Sequence, residues 1–199
     1  MTVTEICTFS ASDAYRTDQS IVKPFAQTLI GTPGFISLYH GLQVEDPTVG
    51  YIFIVWESFE AHKALIDSPA QGPILDTLKP LFAGQFTSVI HAKFTTDPTA
   101  ALSAPTTEYL FTTPKEGSSK EALSEIFSKL ALRDFPEVLG AADGPCIERD
   151  DTLVLVVGWE SVEAHRALMK TAHPDKLKIL GTLRAQGDSV VRHLKLSKV

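Results

Sequence analysis

The sequence predicts an α+β protein made of two tandem βαββαβ repeats whose sheets close against each other around an internal pocket. Three observations lead there. The segment Trp56-Glu57-Ser58-Phe59-Glu60-Ala61-His62-Lys63-Ala64-Leu65 recurs as Trp159-Glu160-Ser161-Val162-Glu163-Ala164-His165-Arg166-Ala167-Leu168, identical at eight of ten positions. The same offset of 103 residues pairs Pro33 with Pro136, Gly41 with Gly144, Val44 with Ile147, Glu45 with Glu148 and Glu5 with Glu108, which marks an internal duplication. Finally, Tyr51 to Trp56 and Leu153 to Val157 read as strands without polar alternation, so both faces of each must be covered, one by helices and the other by the matching sheet. Leaving two such faces wet would forfeit on the order of 10 kcal/mol, at roughly 25 cal/mol per Å² of apolar surface.

Residues 1–95 form the first repeat, 96–106 a proline-containing linker and 107–199 the second repeat. In the first, Glu5 to Phe9 reads as a strand, followed by an amphipathic helix over about Thr17 to Leu29 that carries Ile21, Val22, Phe25, Ala26 and Leu29 inward. Pro24 calls for an early start or a bend in that helix. Phe35 to Val44 and Val49 to Trp56 form a hairpin through Glu45-Asp46-Pro47-Thr48. Ser58 can cap the next helix, which pauses at Ser68-Pro69, and Phe86 to Phe94 closes the repeat as a strand. The second repeat follows the same plan, with strands at Glu108 to Thr112, Val138 to Ile147, Thr152 to Trp159 and Ser189 to Leu196.

Lysine and arginine number 18 against 24 acids, a net charge of -6, so there is no broad basic field of the kind that neutralises nucleic-acid phosphates. No run approaches the roughly 20 apolar residues of a spanning helix, and no secretory leader is evident, so neither nucleic acid nor membrane is expected as a partner and the expected location is cytoplasmic. Cys7 and Cys146 lack disulfide-framework or metal spacing and read as small buried hydrophobes. There is neither a nucleotide fingerprint nor a dense metal-ligand cluster in the pattern, so no cofactor and no metal are expected.

At Trp56 through Leu65, and again at Trp159 through Leu168, the chain resembles the antibiotic biosynthesis monooxygenase-like family of the dimeric α+β barrel superfamily. The resemblance implies two ferredoxin-like halves joined in one chain as an intramolecular, pseudo-dimeric α+β barrel, like the tandem-fused members common in fungi. It implies a range of activities: cofactor-independent oxygenases acting on polycyclic phenols, haem-degrading enzymes, decarboxylases, cyclases, dehydratases and isomerases. The motif itself marks a strand-to-helix junction and carries no chemistry. Of the further histidines that haem-binding members place after it, only His173 could stand in, and Pro174 follows directly, so haem is not expected.

The catalytic candidates are His91, His193 and His40. His91 and His193 occupy comparable places in the last strand of each repeat, and a histidine near its ordinary pKa can abstract a proton from an acidic phenol or enol. Tyr39 and Ser37 form a mixed aromatic and polar strand face suited to a hydroxylated ring. Tyr51, Phe53, Tyr109, Trp56 and Trp159 complete the candidate substrate-binding set. Glu5 and Glu108 are expected at a solvent-facing sheet margin, with orientation of a pocket histidine as the alternative, and His62 and His165 as outward-facing or partly packed helical residues. The expected function is a cofactor-independent enzyme acting on a small phenolic or polyketide-like molecule by histidine-assisted proton abstraction, with oxygenation as a following step. The alternatives are a cofactor-free decarboxylase, cyclase or dehydratase, and a non-catalytic ligand-binding, stress-type barrel protein. A homodimer of fused chains is compatible with either.

Overall fold

The computed structural model describes residues 2–130, 132–171 and 173–199. The chain divides into two compact units, Met1–Lys93 with Lys195–Val199, and Phe94–Leu194. The first holds strands β1 (Val3–Ala11), β2 (Phe35–Gln43), β3 (Val49–Trp56) and β4 (Phe82–Ala92), with helices α1 (Asp13–Thr17), α2 (Lys23–Leu29), α3 (Phe59–Ile66) and α4 (Gln71–Leu78). The second holds α5 (Thr99–Leu102), β5 (Thr106–Pro114), α6 (Lys120–Leu130), β6 (Gly140–Pro145), β7 (Leu153–Trp159), α7 (Val162–Thr171) and α8 (Pro174–Gln186), and most of β8 (Gly187–Lys198). The stretch read as a linker thus contains a helix, α5, whose Ala101 carbonyl accepts from Thr107 Oγ1 at 2.8 Å.

In the first unit β1 lies between β3 and β4, antiparallel to both, and β2 pairs with the far side of β3. Cys7, Phe9, Ala11, Leu38, Ile52, Ile54 and Trp56 share one sheet face and pack with Val22, Phe25, Ala26, Leu29 and Leu78 from the helices. The helix expected over Thr17 to Leu29 is split into α1, a 3-10 turn at Gln19–Val22, and α2. Pro24 sits in the first turn of α2, where its missing N–H breaks no bond. Ser58 caps α3 as expected, accepting from the Ala61 N–H at 3.1 Å.

The second unit repeats the plan. There β5 lies between β7 and β8, and β6 pairs with β7. Leu110, Leu155, Val157 and Trp159 meet Leu123, Ile126, Phe127, Leu168 and Leu183 from the helices. Every residue of β7, and all of β3 except Val49, is buried, as expected from their lack of alternation.

The expectation of a closed barrel is corrected. The hydrogen-bonded strand order is β4-β1-β3-β2-β8-β5-β7-β6, a single eight-stranded sheet. Closure would require a ladder between the terminal strands β4 and β6, and among the described residues each pairs on one side only. The edge of β2 is taken instead by the end of the chain: the Val199 N–H donates to the Leu38 carbonyl at 3.1 Å. Gly41 also lies so close to the Lys195 carbonyl that a Cβ there would clash with it. The protein is therefore α+β, with eight strands and eight α-helices among the described residues, and its sheet is open. No helix is long and apolar enough to cross a membrane.

Candidate functional site

Register decides which polar residues meet. Glu5 on β1 sits opposite Ile54 on β3 and His91 on β4, so its side chain points to the helix-covered face together with Trp56 and His91. Glu108 has the same relation to Val157, His193 and Trp159. The serine caps then start α3 and α7 at the angle that drops His62 and His165 into the same place.

Four side chains in each unit form one contiguous polar array, joined by two hydrogen bonds and one close histidine–carboxylate contact. In the first, Trp56 Nε1 donates to Glu5 Oε2 at 3.1 Å, His62 Nε2 lies 3.4 Å from the same oxygen, and His62 Nδ1 is 2.8 Å from His91 Nε2. The second is nearly superposable in its distances: Trp159 Nε1 to Glu108 Oε2 at 2.9 Å, His165 Nε2 to Glu108 Oε2 at 3.6 Å, and His165 Nδ1 to His193 Nε2 at 2.8 Å. Each indole also stacks on its neighbouring imidazole, with centroids 4.8 and 4.7 Å apart. Glu5, Glu108 and His62 are each only 7 % exposed, so the expectations of marginal acids and an outward His62 are corrected; His165 is half-buried. The reason is physical: a buried carboxylate persists only where donors compensate its lost water, and the indole N–H does so here, with the helix imidazole beside it.

The array orders its protons. A carboxylate lying beside Nε2 of the helix histidine favours the proton on that nitrogen, which leaves the ring's Nδ1 as the acceptor for the strand histidine's Nε2–H. The basic nitrogen of the outer ring, His91 or His193, is then Nδ1. Burial holds His165 below the ordinary histidine pKa, against the opposing pull of Glu108. Burial also pushes the Cys7 thiol well up, assisted by Glu5, to whose Oε1 it donates at 3.2 Å.

The two arrays border different spaces. In the first unit Glu5, Trp56 and His62 line a cavity of about 70 Å³ filled out by Phe25, Ile54 and Leu78. In the second, Glu108, Trp159, His165 and His193 line a cavity of about 340 Å³ with Leu130, Met169 and Leu183. An apolar cavity of about 150 Å³ accommodates benzene, so the second admits a fused aromatic ring system and the first does not.

The remaining candidates lie elsewhere. His40 is on the helix-covered face of the first unit, its Nδ1 2.8 Å from Tyr15 Oη. Tyr39, Ser37, Tyr51 and Phe53 are on the opposite face of the same sheet, and Tyr109 is on the corresponding face of the second unit. Tyr39 is fully buried and its hydroxyl has no hydrogen-bond partner among the described residues. The fold therefore groups Trp56 with His91 and Trp159 with His193, and leaves the tyrosines, Ser37, Phe53 and His40 apart from both. Glu5, Glu108, His62 and His165 were not among the expected site residues. Their signal was present, because an acid, a tryptophan and a histidine all recur at the same offset.

Glu5, His62 and His91 can each bring a ligand atom within 4.8 Å of the others, a two-histidine, one-carboxylate set of the type that suits zinc. Both nitrogens of His62 already face His91 and Glu5, so a cation would have to replace the His62–His91 hydrogen bond and the contact with Glu5.

His40 also carries a prediction about stability. Burial lowers its pKa from 6.5 to about 4. The unfolded chain therefore takes up the proton first as pH falls, and stability that is complete above pH 6.5 is lost toward pH 4. The loss is on the order of 3 kcal/mol. Urea midpoints measured between pH 7 and pH 4 should show it, and His40→Gln should flatten that part of the profile.

No family model matches the sequence, and no curated protein matches it. Solved structures do. A candidate monooxygenase from Lactobacillus acidophilus NCFM has a TM-score of 0.70 at 13% identity, with 100% of this chain and 95% of that chain covered. A second, from Fusobacterium nucleatum subsp. nucleatum, gives 0.69 at 13%, with 98% and 92% covered. An anthrone oxidase-like protein gives 0.63 at 13%, with 98% and 91% covered. The chain thus shares its fold with these three solved structures. At these identities the likeness concerns the fold alone.

Proposed function

We propose that the protein is a cofactor-independent enzyme that oxidises a small phenolic or polyketide-like molecule in the cavity of its second unit. The observation that carries this reading is the Glu108–His165–His193 array, with His193 at the wall of a cavity of about 340 Å³. His193 Nδ1 removes a proton from a phenolic O–H or from a methylene made acidic by its ring, and the array spreads the resulting imidazolium charge toward Glu108. The carbanion gives up electrons to molecular oxygen, a carbon–oxygen bond forms, and water leaves. A CH₂ group and O₂ thus become C=O and H₂O. The apolar walls from Leu130, Met169 and Leu183 exclude bulk water that would quench the anion.

The anthrone oxidase-like structure is consistent with this substrate class. Incubation with an anthrone under oxygen and under argon, followed by mass spectrometry, tests the reading. Exchange of two hydrogens for one oxygen is expected under oxygen alone. Loss of carboxylate or water under argon would identify a decarboxylase or dehydratase instead, and no turnover of anthrones or hydroxynaphthalenes in either gas would contradict an enzymatic role.

A further inference from the structure

The larger cavity has a charged feature that proton abstraction does not require. Arg166 on α7 and Arg184 on α8 both line it, and both are exposed. Among the described residues neither guanidinium makes an ion pair within 4.0 Å. Glu163, one turn before Arg166, is held below the usual carboxylate range mainly by its own backbone and Ser161, with smaller contributions from Arg166 and His193. Glu108 is the one acid in the lining, and its charge is met by Trp159 and His165.

The first unit lacks this arrangement. Lys63, the counterpart of Arg166, pairs with Asp67 at 2.7 Å and does not line the smaller cavity. The position equivalent to Arg184 is Leu81, fully buried. Two uncompensated guanidinium groups at a mostly apolar cavity are unusual in a chain of net charge -6, and they occur beside the array whose cavity has room for a ring. A guanidinium presents a planar fork of donors matched to a carboxylate.

We propose that the second cavity selects anionic aromatic molecules, with a ring carboxylate held by Arg166 and Arg184 and the acidic proton placed beside His193. This deepens the functional reading and rests on its assignment of the site. The carboxylate also keeps the ring from tumbling, which fixes the proton that His193 meets.

The test uses the full chain and two probes, a hydroxynaphthoate and the naphthol that lacks only its carboxylate, titrated by calorimetry. The acid should bind at least about tenfold more tightly, consistent with about 1.4 kcal/mol from charge-assisted hydrogen bonds. An Arg166→Gln/Arg184→Gln double variant should lose that preference while retaining its affinity for the naphthol, and added salt should weaken the acid selectively. Both arginines are exposed, so the variant should stay folded. Equal affinity for the two probes, or a preference that survives in the double variant, overturns the proposal. Oxidation of neutral anthrones with no carboxylate preference would sink it and leave the functional reading intact. A preference abolished by the double variant, without turnover of any probe, would do the reverse.

Discussion

Replacing His193 by glutamine is expected to lower turnover of a phenolic substrate by about 10²- to 10⁴-fold, the usual contribution of a positioned general base. His91→Gln is expected to leave it nearly unchanged. The two histidines have the same 2.8 Å bond to a helix histidine, so local hydrogen bonding alone predicts equal effects. What separates them is space. His193 lines a cavity of about 340 Å³, whereas the cavity beside Glu5 and His62 is about 70 Å³ and His91 is not among its lining residues. Steady-state rates across pH 5 to 9, with unfolding curves to show that both variants are folded, make the comparison. The loss in His193→Gln should fall on kcat more than on KM, because glutamine keeps hydrogen-bonding capacity and lacks the basic nitrogen. Equal losses in the two variants would show that the arrays are serving structure.

Replacing Glu5 by alanine is expected to destabilise the protein by about 3–5 kcal/mol, the range seen when one member of a buried ionic or hydrogen-bonded group is removed. Glu5 accepts from Trp56 Nε1 and from the Cys7 thiol, and His62 Nε2 lies 3.4 Å away. Without it these buried donors have lost water and gained nothing in return. Glu5→Gln keeps an acceptor oxygen and the side-chain volume, and should cost about 1–3 kcal/mol. Urea unfolding with m-values compared between variants gives the numbers. A loss below 1 kcal/mol for Glu5→Ala would mean that the array does not hold β1, β3 and α3 together.

Much of the local structure was readable because it rests on short-range chemistry. The Ser58 cap, the position of Pro24 and the doubly apolar β3 and β7 follow from single residues or from strand period. Barrel closure was not readable for a different reason. Period says which residues share a face and is silent on whether two terminal strands meet, and here the end of β8 pairs beside β2 in an open order. The same limit applies to the site. With both faces of the central strands buried, the pattern cannot tell which face His91, His193, Glu5 and Glu108 occupy. A buried acid also looks like an exposed one until its donors are known, and those donors lie 51 residues away in each repeat, at Trp56 and Trp159. The difference in cavity volume depends on side-chain packing, to which alternation is blind.

The most direct measurement is a crystal structure of the protein soaked with hydroxylated aromatic ligands. A ring bound in the second unit among Leu130, Met169 and Leu183, with its acidic oxygen or carbon within hydrogen-bond reach of His193, is the result expected. A ligand seated instead against Tyr39 and Ser37, on the other face of the first sheet, with the His193 cavity vacant, would contradict the assignment of the site.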